Sequence, residues 1–152
     1  MKTIVILDSE TNSTHPMEEV MERRGYIVFR CTTVQEVIAI CQNKATLVDL
    51  AIADVPLAGS ESQTEAAVQI RRACPELPLL LVSNLPLERW AEEDFRQFEK
   101  LLPGRIDLLQ KPLSERSFIG KANAMLYTIS YLDSRKLFDA AASHRILPAK
   151  AS

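Results

Sequence analysis

The chain has 152 residues, of which 47% are hydrophobic, and a formal net charge of -2 at pH 7. Such a length suits one domain with a real core, and such a charge gives no field to draw nucleic acid or an anionic membrane surface. No apolar run approaches a membrane span, and the apolar N-terminal run lacks a cleavage site, so a cytoplasmic protein with no membrane attachment is expected.

In chain order, Thr3–Leu7 reads as a first strand. The polar stretch Asn12-Ser13-Thr14-His15-Pro16 opens a helix with Pro16 in its first turn, Met17, Val20 and Met21 as its apolar stripe, and Gly25 after its end. Residues 26–31 form a second strand, after which Thr32 or Thr33 caps a helix with Val34, Val37, Ile38 and Cys41 on its inner face. Residues 47–53 are the most apolar run and so a central third strand; a helix over 64–73 follows through Ala66, Ala67 and Ile70. A fourth strand over 79–82 precedes one polar helix over 87–102, which Pro103-Gly104 stops. Residues 106–109 make the fifth strand. Ser114 caps a last helix carrying Phe118, Ile119, Ala122, Leu126 and Ile129.

Short continuous runs rich in Ile, Val and Leu suit strands covered on both faces, which is the parallel-sheet pattern. Their alternation with helices predicts right-handed βαβ units in a single-domain, doubly wound α/β sheet. The α/β domain spans 1–131, and 132–152 form a C-terminal helical extension or tail. In that segment Leu132, Leu137, Phe138, Ala141 and Ala142 can continue the last helix as a dimer seam, with 148–152 disordered. The segment has no room for a helix-turn-helix, so direct DNA binding is not expected.

Four of the strands end on residues able to do phosphate chemistry: Asp8, Asp54, Ser83 and Lys111. Ligands of open α/β sheets bind outside the carboxyl ends of the strands. Two carboxylates, a hydroxyl and an ammonium are thereby delivered to one edge, where they can hold a divalent metal and a phosphoryl group. Each also has a plainer role. Asp8 can cap a turn, Asp54 and Lys111 can be a structural ion pair, and Ser83 can simply bond the backbone at its strand end. His15 and His144 are isolated and read as surface residues. Trp90, Phe95 and Phe98 read as packing residues, and the three scattered cysteines, Cys31, Cys41 and Cys74, as buried thiols.

Across residues 2–130 these βα units resemble the receiver domain of two-component response regulators. Leu7-Asp8-Ser9-Glu10 is similar to that family's acidic cluster, Gly25-Tyr26 to the pair before its second strand, and Asp49-Leu50-Ala51-Ile52-Ala53-Asp54 to its acceptor strand. Val82-Ser83-Asn84 and Lys111-Pro112 match its hydroxyl and lysine positions. The resemblance implies a flavodoxin-like five-stranded sheet of order 2-1-3-4-5. It also implies that Asp54 accepts a phosphoryl group from a phosphohistidine on a sensor histidine kinase or phosphotransfer protein. Mg2+ would be held by Asp8, Asp54 and the backbone carbonyl of Pro56. Lys111 would pair with Asp54 and Ser83 would turn inward to the phosphoryl group. The chain would not be an enzyme in its own right; its output would pass to a downstream protein through the face around the fourth and fifth helices.

Three single residues and one loop depart from the family pattern. Ser9 stands where a second acid is usual, and a hydroxyl is a far weaker Mg2+ ligand than a carboxylate. Weakened metal binding and slowed phosphorylation are therefore expected. Val55-Pro56-Leu57-Ala58-Gly59 replaces the usual loop order, Asn84 replaces a smaller residue, and Leu108 stands where many receivers carry an aromatic. The competing reading is a pseudo-receiver that works as an interaction or dimerisation module without phosphorylation. A flavodoxin-like nucleotide enzyme is disfavoured, since the first βα loop has no glycine to cradle a phosphate.

Overall fold

A computed structural model describes residues 1–10, 15–127 and 131–144. Residues 12–14, Ile129 and 148–152 of the stretches discussed above lie outside them, as do the side chains of His15 and Leu132. Five parallel strands, β1 (Thr3–Leu7), β2 (Ile27–Cys31), β3 (Leu50–Val55), β4 (Leu79–Ser83) and β5 (Ile106–Gln110), form one sheet in the order β2-β1-β3-β4-β5. Helices α1 (His15–Arg23), α2 (Val34–Gln42), α3 (Glu65–Ala73), α4 (Glu92–Leu101) and α5 (Glu115–Tyr127) connect or follow them, and α6 (Tyr131–His144) is added at the end.

The unbroken apolar runs become strands buried along their whole length: every residue of β1, β3 and β4 is buried. Strand alternation then sorts their side chains into two cores. Ile4, Ile6, Leu50, Ile52, Leu80 and Val82 pack under α1 and α5 with Met21, Phe118 and Ala122. Val5, Leu7, Ala51, Ala53, Leu79 and Leu81 pack under α2, α3 and α4 with Val37, Ile70 and Phe98. Strand β2 lies at the sheet edge, and its Ile27 and Phe29 are exposed.

Helix ends follow the local chemistry. Thr33 caps α2 by accepting from the Glu36 backbone N–H at 3.2 Å while its hydroxyl reaches the Glu36 carboxylate. Gly25 follows α1 at φ 86, the left-handed conformation that suits glycine after a helix. Ser114 accepts from the Ser117 N–H at 3.0 Å and so opens α5.

Three expectations about boundaries are corrected. The third strand starts at Leu50, not at residue 47: Leu47 is 80% exposed, and Asp49 turns its carboxylate back to accept from the Thr3 N–H at 2.8 Å. The helix expected over 87–102 is broken into a single 3-10 turn (Leu87–Arg89) and α4. Trp90 sits at the break in extended conformation, buried, with its Nε1–H donating to the Leu85 carbonyl at 3.0 Å. Finally, α6 does not continue α5. It packs on β5 and on the 3-10 turn, burying Phe138 and Ala141 in the α2–α3–α4 core, with the Phe138 ring 4.5 Å from that of Phe95. Of the expected seam, Leu137 stays exposed.

The cysteines are free; Cys31 is buried, whereas Cys41 and Cys74 are half-buried. Burial pushes the Cys31 thiol up to about 11, and burial together with the neighbouring Cys74 thiol pushes Cys41 up to about 12, from an ordinary 9.0. A thiol whose folded-state pKa is raised contributes stability that is whole below the unfolded value and lost as pH rises through the folded one. Urea midpoints are therefore expected to fall between about pH 9 and pH 12, and Cys41→Ala to flatten that fall. An unchanged slope in Cys41→Ala would remove this thiol as a cause.

Candidate functional site

The parallel sheet brings the C-terminal ends of β1, β3, β4 and β5 to one rim. Register places Leu7 beside Ala53, so that Asp8 and Asp54 follow side by side from neighbouring strands. Asp54 pairs in register with Val82, and Ser83 with Gln110, so that Ser83 and Lys111 sit just past the same level. The Lys111 N–H donates to the Ser83 carbonyl at 2.7 Å, which draws the start of the β5–α5 loop over the rim.

At the centre, Lys111 Nζ lies 2.6 Å from Asp54 Oδ2. Both side chains are largely buried, Asp54 at 9% and Lys111 at 20% exposure, so the pair is charge-assisted and poorly screened. The Lys111-Pro112 and Val55-Pro56 peptide bonds are both cis, and Pro56 is exposed at the mouth of the β3–α3 loop.

Asp8 is buried. Its Oδ1 accepts from the Glu10 N–H at 2.9 Å, and its Oδ2 lies 3.5 Å from the Arg30 guanidinium, which also reaches Glu18 at 3.7 Å. Ser9 does not point at Asp54's partner lysine but crosses to the β3–α3 loop, where its hydroxyl accepts from the Ala58 N–H at 2.6 Å. Ser83 is brought to the rim but turned off it: fully buried, its hydroxyl donates to Gln63 Oε1 at 2.6 Å and accepts from the Leu85 N–H at 3.0 Å. Thus Asp54 and Lys111 meet, Asp8 stands on the adjacent strand end, and Ser83 serves another partner.

Among the described residues no three His, Cys, Asp or Glu side chains are grouped as a metal site. The oxygen donors expected for Mg2+, two carboxylates and one carbonyl, are nonetheless the hard ligands that this ion prefers, with water completing its shell. Those donor types suit Mg2+, while Arg30 at 3.5 Å already supplies positive charge to Asp8.

Two groups at the rim were not foreseen from the sequence, Arg30 and Gln63. Arg30 interrupts the apolar β2 at the residue that pairs with Ile6, two positions before Asp8, which was a readable signal once the strand pairing is known. Gln63 had none, being one polar residue in a polar loop.

This arrangement is the receiver fold. A response regulator receiver domain protein (CheY-like) from Methanospirillum hungatei JF-1 shares 19% identity with a TM-score of 0.65, covering 95% of this chain and 98% of that chain. The non-phosphorylated HemR receiver domain from Leptospira biflexa is 20% identical at TM-score 0.65, over 84% of this chain and 95% of that chain. A response regulator receiver domain protein from Clostridium thermocellum is 15% identical at TM-score 0.65, over 83% and 94%. By sequence, no family model and no curated protein matches the chain. The flavodoxin-like sheet order expected above is the observed one, and among the described residues no helix is long and apolar enough to cross a membrane.

Proposed function

We propose that this chain is a signalling receiver whose Asp54 accepts a phosphoryl group from a phosphohistidine on a sensor histidine kinase or phosphotransfer protein. The observation that carries the reading is the 2.6 Å Lys111–Asp54 contact at the rim shared with Asp8. An Asp54 carboxylate oxygen attacks phosphorus, the phosphorus–nitrogen bond to the donor imidazole breaks, and an acyl phosphate forms. Lys111 neutralises charge on Asp54 beforehand and on the phosphoryl oxygens afterwards. Asp8, Asp54 and the Pro56 carbonyl would hold Mg2+, which when bound supplies further charge neutralisation. The chain accepts and passes a signal to a downstream protein rather than turning over a substrate.

Incubation with acetyl phosphate and Mg2+ tests this by intact-mass spectrometry. The native chain is expected to gain one phosphoryl group, about 80 Da, and Asp54→Asn none. Two observations favour the pseudo-receiver: Arg30 already faces Asp8, and the Ser9 hydroxyl is spent on Ala58. No mass gain at any Mg2+ concentration would decide for that reading.

Ser9 also yields a prediction of its own. Its side chain points toward the loop that carries Pro56, so Ser9→Asp adds a carboxylate on the side of the proposed carbonyl ligand. Mg2+ affinity is expected to rise about tenfold, about 1.4 kcal/mol, measured by isothermal titration calorimetry. An unchanged affinity would show that position 9 does not face the ion.

A further inference from the structure

Ser83 has one hydroxyl proton and two acceptors in reach, Gln63 Oε1 at 2.6 Å and the Leu85 carbonyl at 3.2 Å, of which Gln63 is much the closer. The hydroxyl donates to Gln63 Oε1 at 2.6 Å and accepts from the Leu85 N–H, with both Ser83 and Gln63 buried. Turning Ser83 toward an oxygen on Asp54 therefore requires breaking the Gln63 bond and leaving a buried amide carbonyl without its donor, a substantial penalty.

Gln63 is not an isolated partner. Its backbone N–H donates to Asp94 Oδ2 at 3.0 Å, and the Ser62 and Thr64 hydroxyls both donate to Asp94 Oδ1 at 2.7 Å. Asp94 is a buried carboxylate in the first turn of α4, and it fastens three consecutive residues of the β3–α3 loop to that helix. The next residue, Phe95, stacks at 4.5 Å on Phe138 of α6. Leu85, which Ser83 also holds, accepts from Trp90, the residue that ends the 3-10 turn under α6. A continuous set of buried contacts thus runs from Ser83 to the helix that covers β5.

We propose that Gln63 is a resting-state latch: it holds Ser83 off the rim and, through Asp94 and Phe95, couples that position to the docking of α6. This rests on the phosphoryl-acceptor reading of Asp54. When Ser83 turns to a phosphoryl group, Gln63 loses its donor, the 62–64 loop and the start of α4 shift, and α6 loosens. Loosening uncovers Phe138, Ala141 and the β5 face beneath them. Gln63 is a positioning residue, acting on Asp54 only through Ser83.

Hydrogen exchange followed by mass spectrometry on the full chain tests the latch. Gln63→Met removes the acceptor at similar length, and amides of 135–144 in the unphosphorylated variant are expected to exchange about three- to tenfold faster, with β1 amides unchanged. Phosphoryl gain from acetyl phosphate is expected to quicken by a similar factor. Gln63→Glu keeps an acceptor for Ser83 and should return α6 exchange to the native rate. Should Gln63→Met fail to fold, Ser83→Ala breaks the same bond from the other end and is read by the same exchange. Native exchange rates in α6 for Gln63→Met and Ser83→Ala would overturn the latch. A native chain that gains no phosphoryl group sinks the acceptor reading instead, and α6 exchange in the unphosphorylated variant still decides the latch.

Discussion

Lys111→Ala is expected to slow phosphoryl gain at Asp54 by about 10²- to 10³-fold, the effect of deleting one preorganised donor from a site where negative charge develops. Lys111 Nζ stands 2.6 Å from Asp54 Oδ2 in a largely buried pair, so it reaches any group that forms on that carboxylate without further reorganisation. Removing it also leaves Asp54 with less positive charge nearby, and a dianionic donor then approaches an uncompensated carboxylate. Lys111→Arg keeps the charge but replaces a compact ammonium by a planar fork, and should recover only part of the rate. Initial rates by intact mass, at fixed acetyl phosphate and Mg2+, distinguish the cases. A Lys111→Ala rate within a factor of about two of native would reduce the contact to a structural ion pair, since such pairs shift stability without touching chemistry.

How far the sequence discloses this arrangement depends on the kind of interaction. The sheet is legible because β1, β3 and β4 are apolar without interruption and only a strand covered on both faces tolerates that. Asp54 and Lys111 are legible because they stand at the ends of strands, and strand ends converge once the sheet is parallel. Partner choice is not legible. Ser83 meets Gln63, and Asp94 meets residues 62–64, across a distance set by how α4 crosses the β3–α3 loop, which no local pattern records. The break at Trp90 fails for a related reason. Residues 87–102 are polar with helical spacing, and the 3-10 turn ends at Trp90, which is extended and buried with its indole turned back to the Leu85 carbonyl. For α6, Phe138 and Ala141 mark an apolar stripe, but the same stripe serves a dimer seam or an intramolecular dock. Only the buried contact with Phe95 separates the two.

Asp94→Ala is expected to be the most destabilising of these polar substitutions, by about 2–4 kcal/mol, because it orphans several buried donors at once. The carboxylate accepts from the Ser62 hydroxyl, the Gln63 N–H and the Thr64 hydroxyl, and Thr64 is itself buried at the start of α3. Thr64 makes no side-chain bond into its own helix, having given its hydroxyl to Asp94, so Asp94 acts as the fastening of the α3 N-terminus from outside. The negative charge near the N-termini of both α3 and α4 adds a favourable dipole term that alanine also removes. Asp94→Asn keeps one carbonyl acceptor but turns the other oxygen into a donor facing donors, so an intermediate loss is expected. Urea denaturation of the three proteins gives the ranking. A loss below about 0.5 kcal/mol in Asp94→Ala would mean that the three donors find water or other acceptors, and that the β3–α3 loop is not held by α4.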